Sequence, residues 1–285
     1  VNTPNPDILP LGHLPRPSSD DELADRLRTA LIAAAGVDAD SAQHVRVVAS
    51  SAGSDVATLH VDLTGVTVSP REARAARSSA APFAVATRDR AAVRSLRVEA
   101  HPVTVVGAAA DVQLDVADVP FEWVEGAGGE LGLAAVEPDA AHPVSGSARV
   151  ALPVSQIEAA AERVAAQLAA AQGLRLAKLD LRLSPAGANG VAVVVDAQVK
   201  KSLLSATVEA TTTAEVDDAL GVTLHDVAVS SRNPVVAALL VAARSRVERF
   251  DGRRFDLVAE LPAGIRLADV QVTVGDEVVL TARAQ

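Results

Sequence analysis

The side chains able to do chemistry are few and scattered. Six histidines stand at positions 13, 44, 60, 101, 142 and 225, with no spacing that would bring two to one metal ion. Cysteine is absent, which excludes a thiolate nucleophile, a disulfide and a thiolate zinc site. His225-Asp226 is the one adjacent His/carboxylate pair. Neighbouring strand residues point to opposite faces, so the pair makes a poor catalytic dyad. No G-x-S-x-G elbow, P-loop or H-E-x-x-H is present. Gly126-Ala127-Gly128-Gly129-Glu130-Leu131-Gly132 lacks the final spacing and the following helix of a dinucleotide loop, and reads as a flexible turn. The sequence therefore offers no catalytic residue, no metal ligand and no cofactor motif, and a lipid-modifying enzyme is the least favoured reading.

Charge is the next chemical resource. From 71 to 99, Arg71, Arg74, Arg77, Arg88, Arg90, Arg94 and Arg97 face only Glu72, Asp89 and Glu99. Arg71, Arg74 and Arg77 step along one face of a short helix and are the candidates for binding an anionic headgroup. The favoured alternative for the segment is a solvated face with intramolecular ion pairs. A second cluster, Arg244, Arg246, Arg249, Arg253 and Arg254, sits at a helix C-terminus, where the macrodipole accounts for it. The whole chain carries a formal charge of −10, which excludes a general nucleic-acid role. Aromatic residues are 2% of 285, so platforms for stacking sugars or bases are missing and the core must be aliphatic.

Four stretches predict the helices that position these groups. Ser19-x-x-Glu22 caps one that runs to Gly36, with Leu23, Leu27, Leu31 and Ala34 on one face. Ser69-Pro70-Arg71-Glu72 opens a short Ala/Arg helix to about Ser78. Val154–Gly173 is the longest, with Ser155-x-x-Glu158 read as its capping box, Gly173 as its C-cap, and Ile157, Ala160, Ala161, Val164, Leu168 and Ala171 as an apolar stripe. Asn233-Pro234 opens a further helix to about Phe250, its apolar face including Val236, Leu239 and Leu240.

Strands fill the rest: 44–50, 55–69, 82–87, 95–106, 110–119, 130–136, 147–152, 174–183, 191–200, 203–215, 222–231, 255–261, 266–274 and 278–283. Apolar phase slips once between Leu176 and Leu179, and again between Leu224 and Val227. A one-residue slip predicts a bulge, which bends and twists a sheet. Residues 1–17, with five prolines, read as an extended leader. Residues 20–140 and 145–285 form two halves, each with a capped helix, strands and a helix opened by proline, as a duplication would produce. The chain starts at Val1 and has no Met, which implies that a signal peptide, an anchor or other sequence precedes it. No apolar run reaches the roughly 18 residues of a membrane span.

The run Gly146-Ser147-Ala148-Arg149-Val150-Ala151-Leu152-Pro153-Val154-Ser155, then LRLAKLDLRL, SRNPVVAALLVAARSRVERFDGRRFDL and the closing IRLADVQVTVGDEVVLTARA, resembles the LmeA-type phospholipid-binding family of actinobacteria. The likeness covers about 20–285 and is strongest after 145. It implies a tubular lipid-binding (TULIP-like) fold, phospholipid binding and export to the cell envelope, periplasmic or secreted. The family's pattern supplies no short site motif to carry over.

The resulting expectation is an α+β fold in which a long, strongly curved antiparallel sheet wraps around amphipathic helices. Between sheet and helices lies an aliphatic slot for phospholipid or another envelope lipid, lined by Ile157, Val164, Leu168, Val236, Leu239 and Leu240. The protein would carry or sense lipid without enzymatic activity, with the membrane surface as a partner. The rival expectation is a structural or protein-interaction module of the envelope with a filled core.

Overall fold

A computed structural model describes residues 8–79, 84–105, 107–138, 144–171, 173–201, 204–217, 221–233, 251–256 and 267–284. The architecture is α+β, with two large sheets, neither of them closed, and three helices among the described residues. The chain divides into two compact units: Val1–Val150 with Leu261–Ala268 and Arg283–Gln285, and Ala151–Glu260 with Asp269–Ala282. The division falls inside a strand, β8 (Ser145–Pro153).

In the first unit, α1 (Asp20–Ala35) begins where the sequence places it. Ser19 Oγ accepts the Glu22 N–H at 3.2 Å, and Glu22 returns a carboxylate oxygen to the Ser18 N–H at 2.9 Å. Gly36 ends it in the left-handed region at φ 64°. Leu23, Leu27 and Ala30 then sink into the core against Ala49, Val56, Val93, Phe121, Trp123 and Leu131. Trp123 satisfies its one donor by an Nε1–H bond of 2.8 Å to the Ser54 carbonyl.

The sheet of this unit runs β2 (Arg46–Ala52), β3 (Asp55–Asp62), β5 (Val85–Val105), β6 (Ala108–Gly126), β8, with β2 at its edge. β4 (Thr67–Val68) and β7 (Glu130–Ala135) pair alongside. The sheet is mixed: β3 and β4 run parallel to β5, because α2 (Pro70–Ser79) lies on the connection between them.

Two sequence expectations change here. Residues 8–13 are not leader but a strand, β1 (Ile8–His13), antiparallel to β7 from Ile8↔Ala134 to His13↔Glu130. Leu11 is buried in the core, and Pro10 is tolerated because this short strand pairs on one side with β7. Arg16 continues the attachment, pairing with Asp89 at 2.7 Å and Glu125 at 3.1 Å over the Trp123 ring. The second change is β5, one strand of 21 residues where two were expected. Its arginines hold it together: Arg88 reaches Glu122 at 2.7 Å, Arg94 reaches Asp55 at 2.6 Å and Asp118 at 3.0 Å, and Arg97 reaches Glu99 at 3.1 Å. Arg88, Arg90 and Arg94 are thus engaged in cross-strand pairs, and Arg97 pairs along its own strand.

Asp55 is the anchor with the clearest pH signature. It accepts the Ala92 N–H at 2.9 Å and two Arg94 N–H groups at 2.9 and 2.6 Å. Partial burial raises its pKa, but the Ala92 N–H and the Arg94 charge together outweigh that and lower it from the usual 3.8. A carboxylate depressed in the folded state stabilises above its unfolded pKa and loses that contribution as pH falls through the folded value. In urea unfolding, Asp55→Asn should therefore be less stable than wild type at pH 7, and the gap should close as the pH drops below 3.8.

The second unit contains α3 (Val154–Ala171) and the sheet β9 (Arg175–Pro185), β10 (Gly190–Lys201), β11 (Leu204–Val216), β12 (Gly221–Ser231), β13 (Arg254–Asp256), antiparallel at every pair. β14 (Leu267–Val274) and β15 (Glu277–Ala284) are neighbours in a hairpin. Strand β8 passes into α3 with no intervening cap, so Ser155 lies inside the helix and its capping-box reading fails. The Val154 N–H is met instead by the Asp276 carbonyl at 3.0 Å. The other end is as expected: Gly173 takes φ 67°, and the Gly173 and Leu174 N–H groups bond the Ala170 and Ala169 carbonyls at 3.0 and 2.9 Å.

Both predicted phase slips are register shifts. Opposite Gln198 and Val199 stand Lys178 and Leu176, leaving Ala177 over. Opposite Thr211 and Thr213 stand Ala228 and His225, leaving two residues across from Thr212. Asp226 lies in that second shift at φ 54°. Asp118 (φ 54°) and Asp269 (φ 53°) share its backbone, and all three sit in an x-Asp-Val sequence. Aspartate is one of the few residues with a side chain that enters this region readily.

Candidate functional site

The candidate site is the apolar face of the second unit's sheet. Strand residues that pair across a ladder share a face, so the register sorts the side chains. One set of rungs reads Leu183–Val193–Thr212, then Leu181–Val195–Ala210–Val229, then Leu179–Ala197–Val208–Ser231. Leu176–Val199–Ala206 extends it one way, and Pro185–Val191–Ala214–Leu224 the other. The intervening rungs carry the charged residues: Arg182–Val194–Thr211–Ala228 is mixed and Asp180–Asp196–Glu209–Ser230 is polar throughout. Ion pairs run on that side, Arg182–Asp196 and Lys178–Asp180, each at 2.6 Å.

The bulges make the apolar face continuous. Without the bulge at Ala177, Leu176 would fall on the opposite face from Leu179, Leu181 and Leu183. The shift at Asp226 does the same for Leu224 and Val229. The hydroxyls on this face are turned to the backbone: Thr212 Oγ1 donates to the His225 carbonyl at 3.0 Å and Ser231 Oγ to the Thr207 carbonyl at 2.6 Å. The wall presents aliphatic surface with its polar groups already satisfied.

It is also incompletely covered. Leu179, Val191 and Val216 are buried, whereas Leu181, Leu183, Val193, Val195, Val199, Val208 and Val229 are only half-buried. In the first unit the comparable face is sealed by Leu23 and Leu27. α3 packs on β9, and its more covered side carries Ala161, Ala165 and Ala169.

The residues singled out from sequence are distributed as follows. Ile157 is half-buried on α3; Val164 and Leu168, one turn apart, are 56% and 65% exposed. The expected stripe therefore splits: Ile157, Ala160 and Ala161 are half-buried, whereas Val164, Leu168 and Ala171 are exposed. Val236, Leu239 and Leu240 lie outside the described residues. Arg71 and Arg74 stand exposed on α2, in the first unit; the Arg77 side chain lies outside the described ones. Sequence reasoning named helix residues and missed the strand wall. Its signal was the Leu/Val alternation of β9 and β10, read across the bulge as one face.

Three of the histidines make pairs with carboxylates rather than a centre. His60 Nε2 lies 3.0 Å from Glu99, His101 Nδ1 3.5 Å from Asp111, and His225 Nε2 3.6 Å from Glu215. Each is exposed by more than two fifths, as solvated cross-strand partners are. Among the described residues no three His, Asp or Glu converge as a metal set would, and no helix is long and apolar enough to cross a membrane.

Compared with known protein families, curated proteins and solved structures, the chain matches none.

Proposed function

We propose that the protein binds phospholipid or a related envelope lipid, without chemistry, on the aliphatic wall of its second unit. The observation that carries this reading is the half-buried state of a face built from Leu and Val across β9, β10, β11 and β12. An ordinary core would bury such residues, as the first unit does. Val191 to Val199 spans eight steps, about 27 Å of strand. One leaflet of a bilayer core is about 15 Å thick, half of the whole, so the wall accommodates an extended acyl chain. Each methylene moved from water onto it contributes about 0.8 kcal/mol.

The two bulges support the finer picture of a sheet bent round its ligand in the manner of tubular lipid-binding proteins. The LmeA-type resemblance, strongest over this unit, supports phospholipid as the ligand and the cell envelope as the location. Arg71 and Arg74 retain a headgroup role on exposure alone. Solvent extraction of the purified protein followed by mass spectrometry should release lipid near one per chain. A lipid-free extract, together with failure of the delipidated protein to take up phospholipid, overturns the proposal.

One observation favours a second reading. β2 ends the first sheet, with Val48 64% exposed on it. An edge strand of that kind is suited to pair with an extended segment of a protein partner. The lipid-free outcome favours this structural role.

A further inference from the structure

One end of the second sheet has a charge opposite in sign to the net charge of −10. Arg175 and Lys200 are register partners on the last rung of β9 and β10, and Lys201 follows in the chain. Arg232 comes directly after Ser231, which pairs with Val208 toward the same end. In the described stretches 175–178, 198–201, 204–208 and 230–233 there is no acidic residue. The acids begin one rung further in, with Asp180, Asp196 and Glu209.

Arg88, Arg94 and Arg97 of β5, and Arg182, are held in ion pairs at 2.6 to 3.1 Å. Arg175, Lys200 and Arg232 are exposed and make no side-chain hydrogen bond or ion pair among the described residues. A chain of net charge −10 is repelled by an anionic bilayer over most of its surface. Unpaired cations gathered at one end reverse that locally, and the same end is where the aliphatic rungs Leu176–Val199–Ala206 run out.

We propose that this end of the second unit docks on an anionic phospholipid surface, with Arg175, Lys200 and Arg232 as the contact. The docking does not require the lipid wall, but it would place the end of the wall where lipid is found. Basic residues near such a surface each strengthen binding about fivefold, and the effect falls off within a Debye length of about 10 Å at 0.1 M salt.

The experiment is sedimentation with vesicles of phosphatidylcholine alone or with phosphatidylglycerol. Wild type should bind only the anionic vesicles, and lose them as salt rises from 0.1 to about 0.5 M. The variant Arg175→Glu/Lys200→Glu/Arg232→Glu should lose about a hundredfold in partitioning. It should still take up detergent-dispersed phospholipid as wild type does. Arg71→Glu/Arg74→Glu, on the first unit, should weaken vesicle binding less than the triple variant does. Equal binding to neutral and anionic vesicles overturns the proposal, as does a loss confined to the Arg71/Arg74 variant. Charge-dependent docking with no uptake of dispersed phospholipid upholds the docking and removes the lipid wall.

Discussion

Gly36→Ala should destabilise the first unit by about 3 kcal/mol or more. Two costs combine. Gly36 holds φ 64°, and a side chain in that left-handed conformation costs about 1–2 kcal/mol. The added methyl would also meet backbone, namely the Ala73 N and the Ser69 carbonyl oxygen. Neither is the yielding end of a side chain, so α1 and the first turn of α2 must separate, at about 1–3 kcal/mol. Ser69 N–H bonds the Gly36 carbonyl at 2.9 Å, and that link would be strained as well. Gly53→Ala is the control: it is also left-handed, at φ 67°, but its methyl meets nothing within 4 Å. Thermal melts should show the two losses differing by the clash alone.

The second large effect concerns the wall. Val195→Trp should reduce phospholipid uptake at least tenfold, because the indole occupies the middle rung, Leu181–Val195–Ala210–Val229. Val194→Trp is one residue away, on the rung Arg182–Val194–Thr211, and faces the other way. It should leave uptake unchanged. Both positions are half-buried, so the comparison separates facing from burial.

Helix ends with local chemistry were legible in the sequence. Ser19, Gly36 and Gly173 act through hydrogen bonds and backbone conformation confined to a few residues, and each lies where the pattern puts it. The bulges near Ala177 and Asp226 were legible for the same reason, since a bulge shifts the apolar period of its own strand. What failed depended on distant partners. β1 hides behind proline until β7 is there to pair with it. β5 hides behind arginine until Glu122, Asp55 and Asp118 neutralise it. The start of α3 is satisfied by Asp276, more than a hundred residues later, and no capping box foretells that. The split of the α3 stripe has the same origin. Its covered side carries alanines, and small side chains let a helix lie close to a strand, whereas hydrophobicity alone points to Val164 and Leu168.

Native mass spectrometry of the delipidated protein, incubated with one defined phospholipid, tests the central claim most directly. Wild type and Val194→Trp should each gain the mass of one lipid, and Val195→Trp should gain none. No adduct on wild type, or an equal adduct on both tryptophan variants, would contradict a lipid site on this wall.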